Sequence, residues 1–261
     1  MNGDVEARLA KSLTADSTDL IPYLPYLLQD FWSLASDAAE MAQLLRVQTD
    51  FGTDCRLLDL ACGKGAASVM LAKEFGCTAK GVDLIAAFVE EAAEKATAHG
   101  VAAQCTFAVG DVNEAVLIEK DYDLTIWCGA GDLLGSYAET LAGIARTVKP
   151  GGYILLDEGY VKEEAALRFQ QDYLTEAEWD GVFCAQGLTV IACSKAENEC
   201  DPSEYAEDLD NIRRRAQELI ARHPEKRDMF EQYVRNQQGE YADLQDGIVA
   251  ALWLLRKSPA K

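Results

Sequence analysis

A chain of 261 residues, 49% of them apolar, is long enough to bury a full core, either as one large α/β domain or as a core with a helical appendage, and too apolar to be disordered. Its formal charge of −20 at pH 7 repels phosphate backbones and anionic lipid surfaces at long range, so nucleic-acid and membrane partners are not expected. The first residues show no basic-then-apolar leader pattern and no apolar run approaches ~20 residues, so the expectation is a soluble, cytoplasmic protein.

Eight cysteines (Cys55, Cys62, Cys77, Cys105, Cys128, Cys184, Cys193, Cys200) form no C-x-x-C pair, and His99 and His223 lie near none of them in sequence. That pattern reads as free thiols in a reducing compartment, with no metal site. The one dense basic stretch, Arg213-Arg214-Arg215, sits among Glu207, Asp208, Asp210 and Glu218, which predicts a solvated helix face with internal ion pairs.

Residues 1–50 read as a helical cap. Pro22 and Pro25 bar a long helix at Ile21–Tyr26. Beyond them Leu27, Leu28, Phe31, Trp32, Leu34, Ala35, Ala38 and Met41 recur at helical spacing and predict a helix there.

Residues 51–160 alternate strands and helices. Arg56–Leu60 is an apolar strand that runs into a glycine-rich loop, and Ala66–Phe75 is a helix closed by Gly76. Thr78–Asp83 is strand-like, Ala86–His99 is a helix with Glu91 and Lys95 four apart, and Gln104–Val109 and Leu124–Cys128 are strands. Gly135–Val148 is a helix ended by Lys149-Pro150-Gly151-Gly152, and Tyr153–Asp157 is a fifth strand. Strands spaced by helices mean crossover units and a mainly parallel sheet.

Residues 161–261 break that rhythm. Thr175 and Glu178 have capping-box spacing for a helix that Gly187 ends, and Leu188–Cys193 is a sixth strand. Asp201-Pro202 opens a long charged helix to about Arg222, and a second helix runs from Pro224 to about Gln238. Ile248–Leu255 is a final apolar strand. The expected fold class is α/β: a Rossmann-like, seven-stranded, mostly parallel sheet with helices on both faces and an antiparallel last strand. To it are added the N-terminal cap and a helical insertion at about residues 201–242, between strands six and seven.

The chemistry concentrates in Asp59-Leu60-Ala61-Cys62-Gly63-Lys64-Gly65, between a strand and a helix. Glycines there let a ligand approach the backbone, and the helix N-terminus offers unpaired N–H groups. Asp83 ends the second strand in Gly81-Val82-Asp83. It either accepts from ribose hydroxyls or caps the helix that starts near Ala86. Asp111, in Gly110-Asp111-Val112, either accepts from an adenine amino group or is a cap or turn residue. All three carboxylates end strands at one edge of the sheet, where open α/β sheets bind their ligands.

Asp59-x-Ala61-x-Gly63-x-Gly65, Gly81-Val82-Asp83, Gly110-Asp111, Tyr122-Asp123-Leu124 and Lys149-Pro150-Gly151-Gly152 resemble, in order, the motifs of class I S-adenosylmethionine-dependent methyltransferases. The look is that of bacterial small-molecule enzymes related to quinone-biosynthesis methyltransferases. Ala61 departs from the family's usual glycine. The resemblance implies that Asp59 faces the methionine ammonium and that Ala61, Gly63 and Gly65 line the methionine and sugar. It implies that Asp83 holds the ribose hydroxyls with Leu84 flanking the adenine, and that Asp111 takes the adenine amino group with the Val112 N–H opposite a ring nitrogen. The Cys128 carbonyl would touch the methionine end.

The loop lacks the G-x-G-x-x-G of hydride enzymes, with Ser68 three residues after Gly65, and the Gly-Lys-Ser/Thr of mononucleotide loops. The cofactor's sulfonium already activates its methyl group, so no fixed catalytic base is demanded and none is assigned. Asp132, Glu158 and Tyr160 after the strand tips, with Tyr23, Tyr26, Phe31 and Trp32 of the cap, could line an acceptor opening. Tyr205, Leu209, Ile212 and Leu219 read as a core stripe and His223 as a turn residue. The acidic charge favours a small metabolite as acceptor over a polyanion. A non-catalytic S-adenosylmethionine-binding module, a NAD-dependent oxidoreductase and an RNA or protein methyltransferase stand as alternatives. No motif speaks to oligomeric state.

Overall fold

The computed structural model describes residues 3–35, 37–165, 169, 173–195, 202–245 and 247–259. The Asp201 start assigned to the long charged helix, and Cys200, lie outside the described residues.

Among the described residues seven strands form in chain order: β1 (Arg56–Leu60), β2 (Thr78–Asp83), β3 (Cys105–Val109), β4 (Tyr122–Cys128), β5 (Val148–Val161), β6 (Leu188–Lys195) and β7 (Ile248–Lys257). They lie side by side as β3-β2-β1-β4-β5-β7-β6, and β7 runs antiparallel to both its neighbours while the β3-to-β5 set is parallel. Leu57, Leu58 and Leu60 of β1 and Leu124, Ile126 and Trp127 of β4 are wholly buried. Such unbroken apolar runs are what a parallel sheet covered on both faces requires.

Among the described residues the α-helices are α1 (Gly3–Ser12), α2 (Leu24–Leu27), α3 (Ala38–Gln48), α4 (Ala66–Phe75), α5 (Ala86–Ala98), α6 (Val112–Ile118), α7 (Tyr137–Thr147), α8 (Glu176–Ala185), α9 (Pro202–Arg222) and α10 (Arg227–Gln245). Met41, Leu45, Val69 and Leu71 of α3 and α4 pack with Leu57, Leu124 and Leu155 on one face. Helices α1, α2 and α6 to α10 cover the other, around Leu58, Leu60, Trp127, Leu156 and Trp253. The Thr175–Glu178 capping box forms in both directions at the start of α8, and Gly76 closes α4 in the left-handed region (φ 68°).

Three sequence expectations needed correction. The apolar stretch Leu27–Met41 is not one helix: α2 stops at Leu27, α3 starts at Ala38, and Asp37 caps α3 by accepting from the Ala39 N–H. Between them Leu28 is buried in the core and Phe31, Trp32 and Leu34 are half-buried, with Trp32 bonded to the Lys64 carbonyl of the glycine-rich loop, so tertiary contact overrides a helical period. Helix α6 was not anticipated, because its seven residues are too short to show a period. Strand β5 extends well beyond Tyr153–Asp157 at both ends and absorbs the Lys149–Gly152 turn, with a register shift between Tyr122 and Leu124 of its neighbour.

Candidate active site

The bend between β1 and α4 is the centre of the site. Ala61, Gly63 and Gly65 all have positive φ (57°, 51° and 72°). For Ala61 that conformation costs roughly 1–2 kcal/mol, a strain that accumulates where function holds the backbone. Gly65 admits no substitute: a Cβ there would stand 2.8 Å from Ala92 and 3.0 Å from the Phe107 ring.

Carboxylates gather round this bend. Asp59 is buried, and its Oδ2 accepts from Ser68 Oγ at 2.7 Å. Burial pushes the Asp59 carboxyl up to about 7, against the pull of the Ser68 bonds. Asp83 is also buried; its Oδ2 accepts from the Gly63 N–H and its Oδ1 from the Ile85 N–H, both at 2.8 Å. Burial raises its carboxyl too, opposed by those backbone bonds. Ile85, not Asp83, is the N-cap residue of α5. Asp111 is the N-cap of α6, and its Oδ1 accepts from both Asn113 N and Nδ2 at 2.8 Å.

Strand register sets the rest. Leu60 lies opposite Val82 and Trp127, Asp83 opposite Val109, and Cys128 opposite Asp157. Asp59, Ala61, Gly63, Gly65, Asp83, Leu84, Asp111, Val112 and Cys128 therefore all stand at or just beyond one edge of the sheet. Leu84 is half-buried against the core and Val112 is buried.

Lys64 has a role the sequence did not reveal. Its side chain is wholly buried, and its Nζ donates to the carbonyls of Leu28 (2.8 Å) and Phe31 (2.7 Å) and pairs with Glu91 at 3.1 Å. Burial lowers the ammonium below its usual range, and Glu91 opposes that shift. Trp32 Nε1 returns a bond to the Lys64 carbonyl at 3.1 Å. This staple straps residues 28–35 over the bend. Leu34 Cδ1 would lie 3.4 Å from a Cβ at Gly63, and Ala35 would lie 3.3 Å from one at Gly129.

The helical insertion closes on the same strap. Arg215 and Arg214 both reach Asp30, at 2.7 and 3.1 Å, and hold its carboxyl down at about 2. Tyr26 donates to Glu218 and accepts from Arg222, and Tyr23 meets Phe230 edge-on at 5.1 Å. The arginine cluster is thus a clamp between α9 and the N-terminal region; of the predicted internal pairs, Arg213–Asp210 and Arg215–Glu218 form. Leu209, Ile212 and Leu219 are core, as their spacing predicts, while Tyr205 stacks on Tyr241. His223 is a turn residue preceding Pro224. Asp132 pairs with Lys11 at 2.7 Å, and Tyr160 is buried beside Trp253.

Chemically, the edge offers acceptors to a ligand rather than cations. The Gly63 N–H, which would receive a phosphate, goes to Asp83, and the only lysine of the bend is turned onto the strap. A pyrophosphate fits poorly here. Carboxylates suit a ligand that brings hydrogen-bond donors. Among the described residues no group of three or more His, Cys, Asp or Glu could hold a metal ion, the cysteines are free thiols, and no helix is long and apolar enough to cross a membrane.

Comparison with known proteins identifies the family. Residues 52–217 match the family described as Methyltransferase domain. The uncharacterized protein YjhP of Escherichia coli (strain K12) is 28% identical over 170 residues, 62% of this chain and 66% of that protein. Malonyl-(acyl-carrier protein) O-methyltransferase of Priestia megaterium is 31% identical over 106 residues, 40% of this chain and 37% of that enzyme. The matched stretches thus span just under two thirds of the first relative and little over a third of the second. Among solved structures, a SAM-dependent methyltransferase from Thiobacillus denitrificans in complex with S-adenosyl-L-homocysteine superposes with a TM-score of 0.72, at 23% identity, covering 89% of this chain and 97% of that one. The E. coli YjhP structure gives 0.73 at 20% identity over 93% and 100%.

Proposed function

Because the chain belongs to the Methyltransferase domain family, we propose that it transfers the methyl group of S-adenosylmethionine to a small-molecule acceptor. The observation that carries this reading is the row of buried or half-buried carboxylates on successive strand tips beside a bend whose Gly63 N–H is already taken by Asp83. When bound, the cofactor supplies a methyl group activated by its sulfonium.

The chain's own residues then bind and orient the cofactor and enclose the acceptor. Asp83 accepts from the two ribose hydroxyls with the lone pairs that its backbone bonds leave over. Asp59 meets the ammonium, directly or through water. Asp111 takes the adenine amino group, with the Val112 N–H on a ring nitrogen and Leu84 against the ring, and the Cys128 carbonyl touches the methionine end. The Lys64-stapled strap, with the α9–α10 insertion clamped to it through Asp30, excludes water and holds the acceptor in line with the breaking bond. The net charge of −20 disfavours an anionic acceptor. The reaction suits a soluble cytoplasmic enzyme acting on metabolites.

The test is to incubate the protein with methyl-labelled S-adenosylmethionine and the small-molecule fraction of a cell extract. The expected result is S-adenosylhomocysteine together with label in a metabolite. Binding of S-adenosylhomocysteine without turnover would make the protein a cofactor-binding module. A melting temperature raised by NAD(H) but not by S-adenosylhomocysteine would return the oxidoreductase reading.

A further inference from the structure

We propose that Glu158 is the proton acceptor of the reaction, and that the methyl acceptor is a small neutral molecule that presents an O–H or N–H group to its buried Oε1 atom. This rests on the methyl-transfer reading and adds to it both a base and a substrate class.

Glu158 lies one residue beyond Asp157, which stands opposite Cys128 at the tip of β4. Side chains alternate along a strand, so Glu158 shares its face with Leu156 and Tyr160, on the side of the sheet covered by α9 and α10. Its Oε1 is closed off from solvent and has no hydrogen-bond partner among the described residues. The backbone N–H groups of Gly131 and Gly159 lie close enough to the carboxyl to oppose the upward push of burial. Gly131 belongs to the loop that leaves β4 immediately beyond Cys128, so the carboxyl stands beside the same strand tip that would meet the methionine end.

A buried polar atom without a partner is rare in a folded core and calls for an explanation. Trp127 Nε1 is another, and Trp127 belongs to the same face, one strand over. Glu158 Oε1 is thus an unused acceptor, and Trp127 Nε1, whose residue stands opposite Leu156, is an unused donor on the same face of the sheet. Burial, with Asp157 and Asp132 nearby, pushes the Glu158 carboxyl up to about 8; Asp132 is itself paired with Lys11, and Ala251 lies opposite on β7. A base of that strength removes protons efficiently near neutral pH.

The step balances without a further reactant. The acceptor's lone pair forms the bond to the methyl carbon, the electrons of the sulfur–carbon bond stay on sulfur, and the O–H or N–H proton passes to the Glu158 carboxylate. The sulfonium charge is lost and the carboxylate is neutralised, so the products carry no new charge.

The experiment has a binding and spectroscopic arm and a turnover arm. In the full chain with S-adenosylhomocysteine bound, the carboxyl ¹³C resonance that disappears in Glu158→Gln is expected to titrate at about 8; titration at the ordinary 4.5 overturns the proposal. With labelled cofactor and the small-molecule extract, parent kcat/KM is expected to rise with pH through that value. Glu158→Gln is expected to lose that pH limb and about 100-fold or more of the rate, with unchanged S-adenosylhomocysteine affinity and partial recovery in Glu158→Asp. Transfer by Glu158→Gln at the parent rate removes Glu158 alone. No transfer by the parent, although S-adenosylhomocysteine binds, removes the methyl-transfer reading and this assignment with it.

Discussion

Asp83 Oδ2 accepts from the backbone N–H of Gly63, twenty positions earlier in the chain, at 2.8 Å. One carboxylate thereby fixes the glycine bend after β1 to the tip of β2, and it keeps lone pairs that its backbone bonds leave over. Replacing Asp83 with alanine removes both the anchor of the bend and the proposed ribose contact. Charge-assisted hydrogen bonds are worth about 1.5–3 kcal/mol each, so Asp83→Ala is expected to bind S-adenosylhomocysteine roughly 10- to 100-fold more weakly by calorimetry. Equal affinity would remove Asp83 from the site.

Asp59 makes a prediction about protons. Its carboxyl, pushed up to about 7 by burial, is partly protonated in the free protein at neutral pH. An ammonium beside it favours the charged form, so its value falls on binding and a proton is released. The released fraction is expected to be up to about one half at pH 7, to grow below it and to vanish well above it. Calorimetry in buffers of different ionisation enthalpy reads this fraction directly. Asp59→Asn is expected to abolish the buffer dependence, and a parent titration without any would contradict the assignment.

Lys64 makes a prediction about the strap. Lys64→Met leaves the carbonyls of Leu28 and Phe31 without their donor and Glu91 without its cation. Breaking a buried pair of this kind costs on the order of 3 kcal/mol. A fall of several degrees in Tm is expected, with faster hydrogen exchange confined to residues 28–35 and faster release of S-adenosylhomocysteine. Unchanged exchange in that segment would mean that Lys64 does not hold it.

The sheet was legible in the sequence because its signals are local. Apolar runs such as Arg56–Leu60, glycine stops such as Gly76 and the Thr175–Glu178 box each act within a few residues, and each forms. The carboxylate row was legible for the same reason, since Asp59, Asp83 and Asp111 each end or follow a visible strand. The strap was not. Leu28–Ala35 has a helical period, and what straightens it is Lys64, 36 residues from Leu28 in the chain. Nor does Arg213-Arg214-Arg215 betray that Asp30, 185 residues from Arg215, completes the clamp. Contacts of that separation carry no compositional mark, and nothing in the sequence around Glu158, read as one candidate for the acceptor opening, showed that its Oε1 would be shut off from solvent.

The most direct test of the central claim is a crystal structure of the protein with S-adenosylhomocysteine. The account predicts the ribose hydroxyls within hydrogen-bonding distance of the Asp83 carboxylate, the adenine amino group at Asp111 and the sulfur turned toward Cys128 and Glu158. An adenosyl group seated away from the tips of β1, β2 and β3 would contradict it.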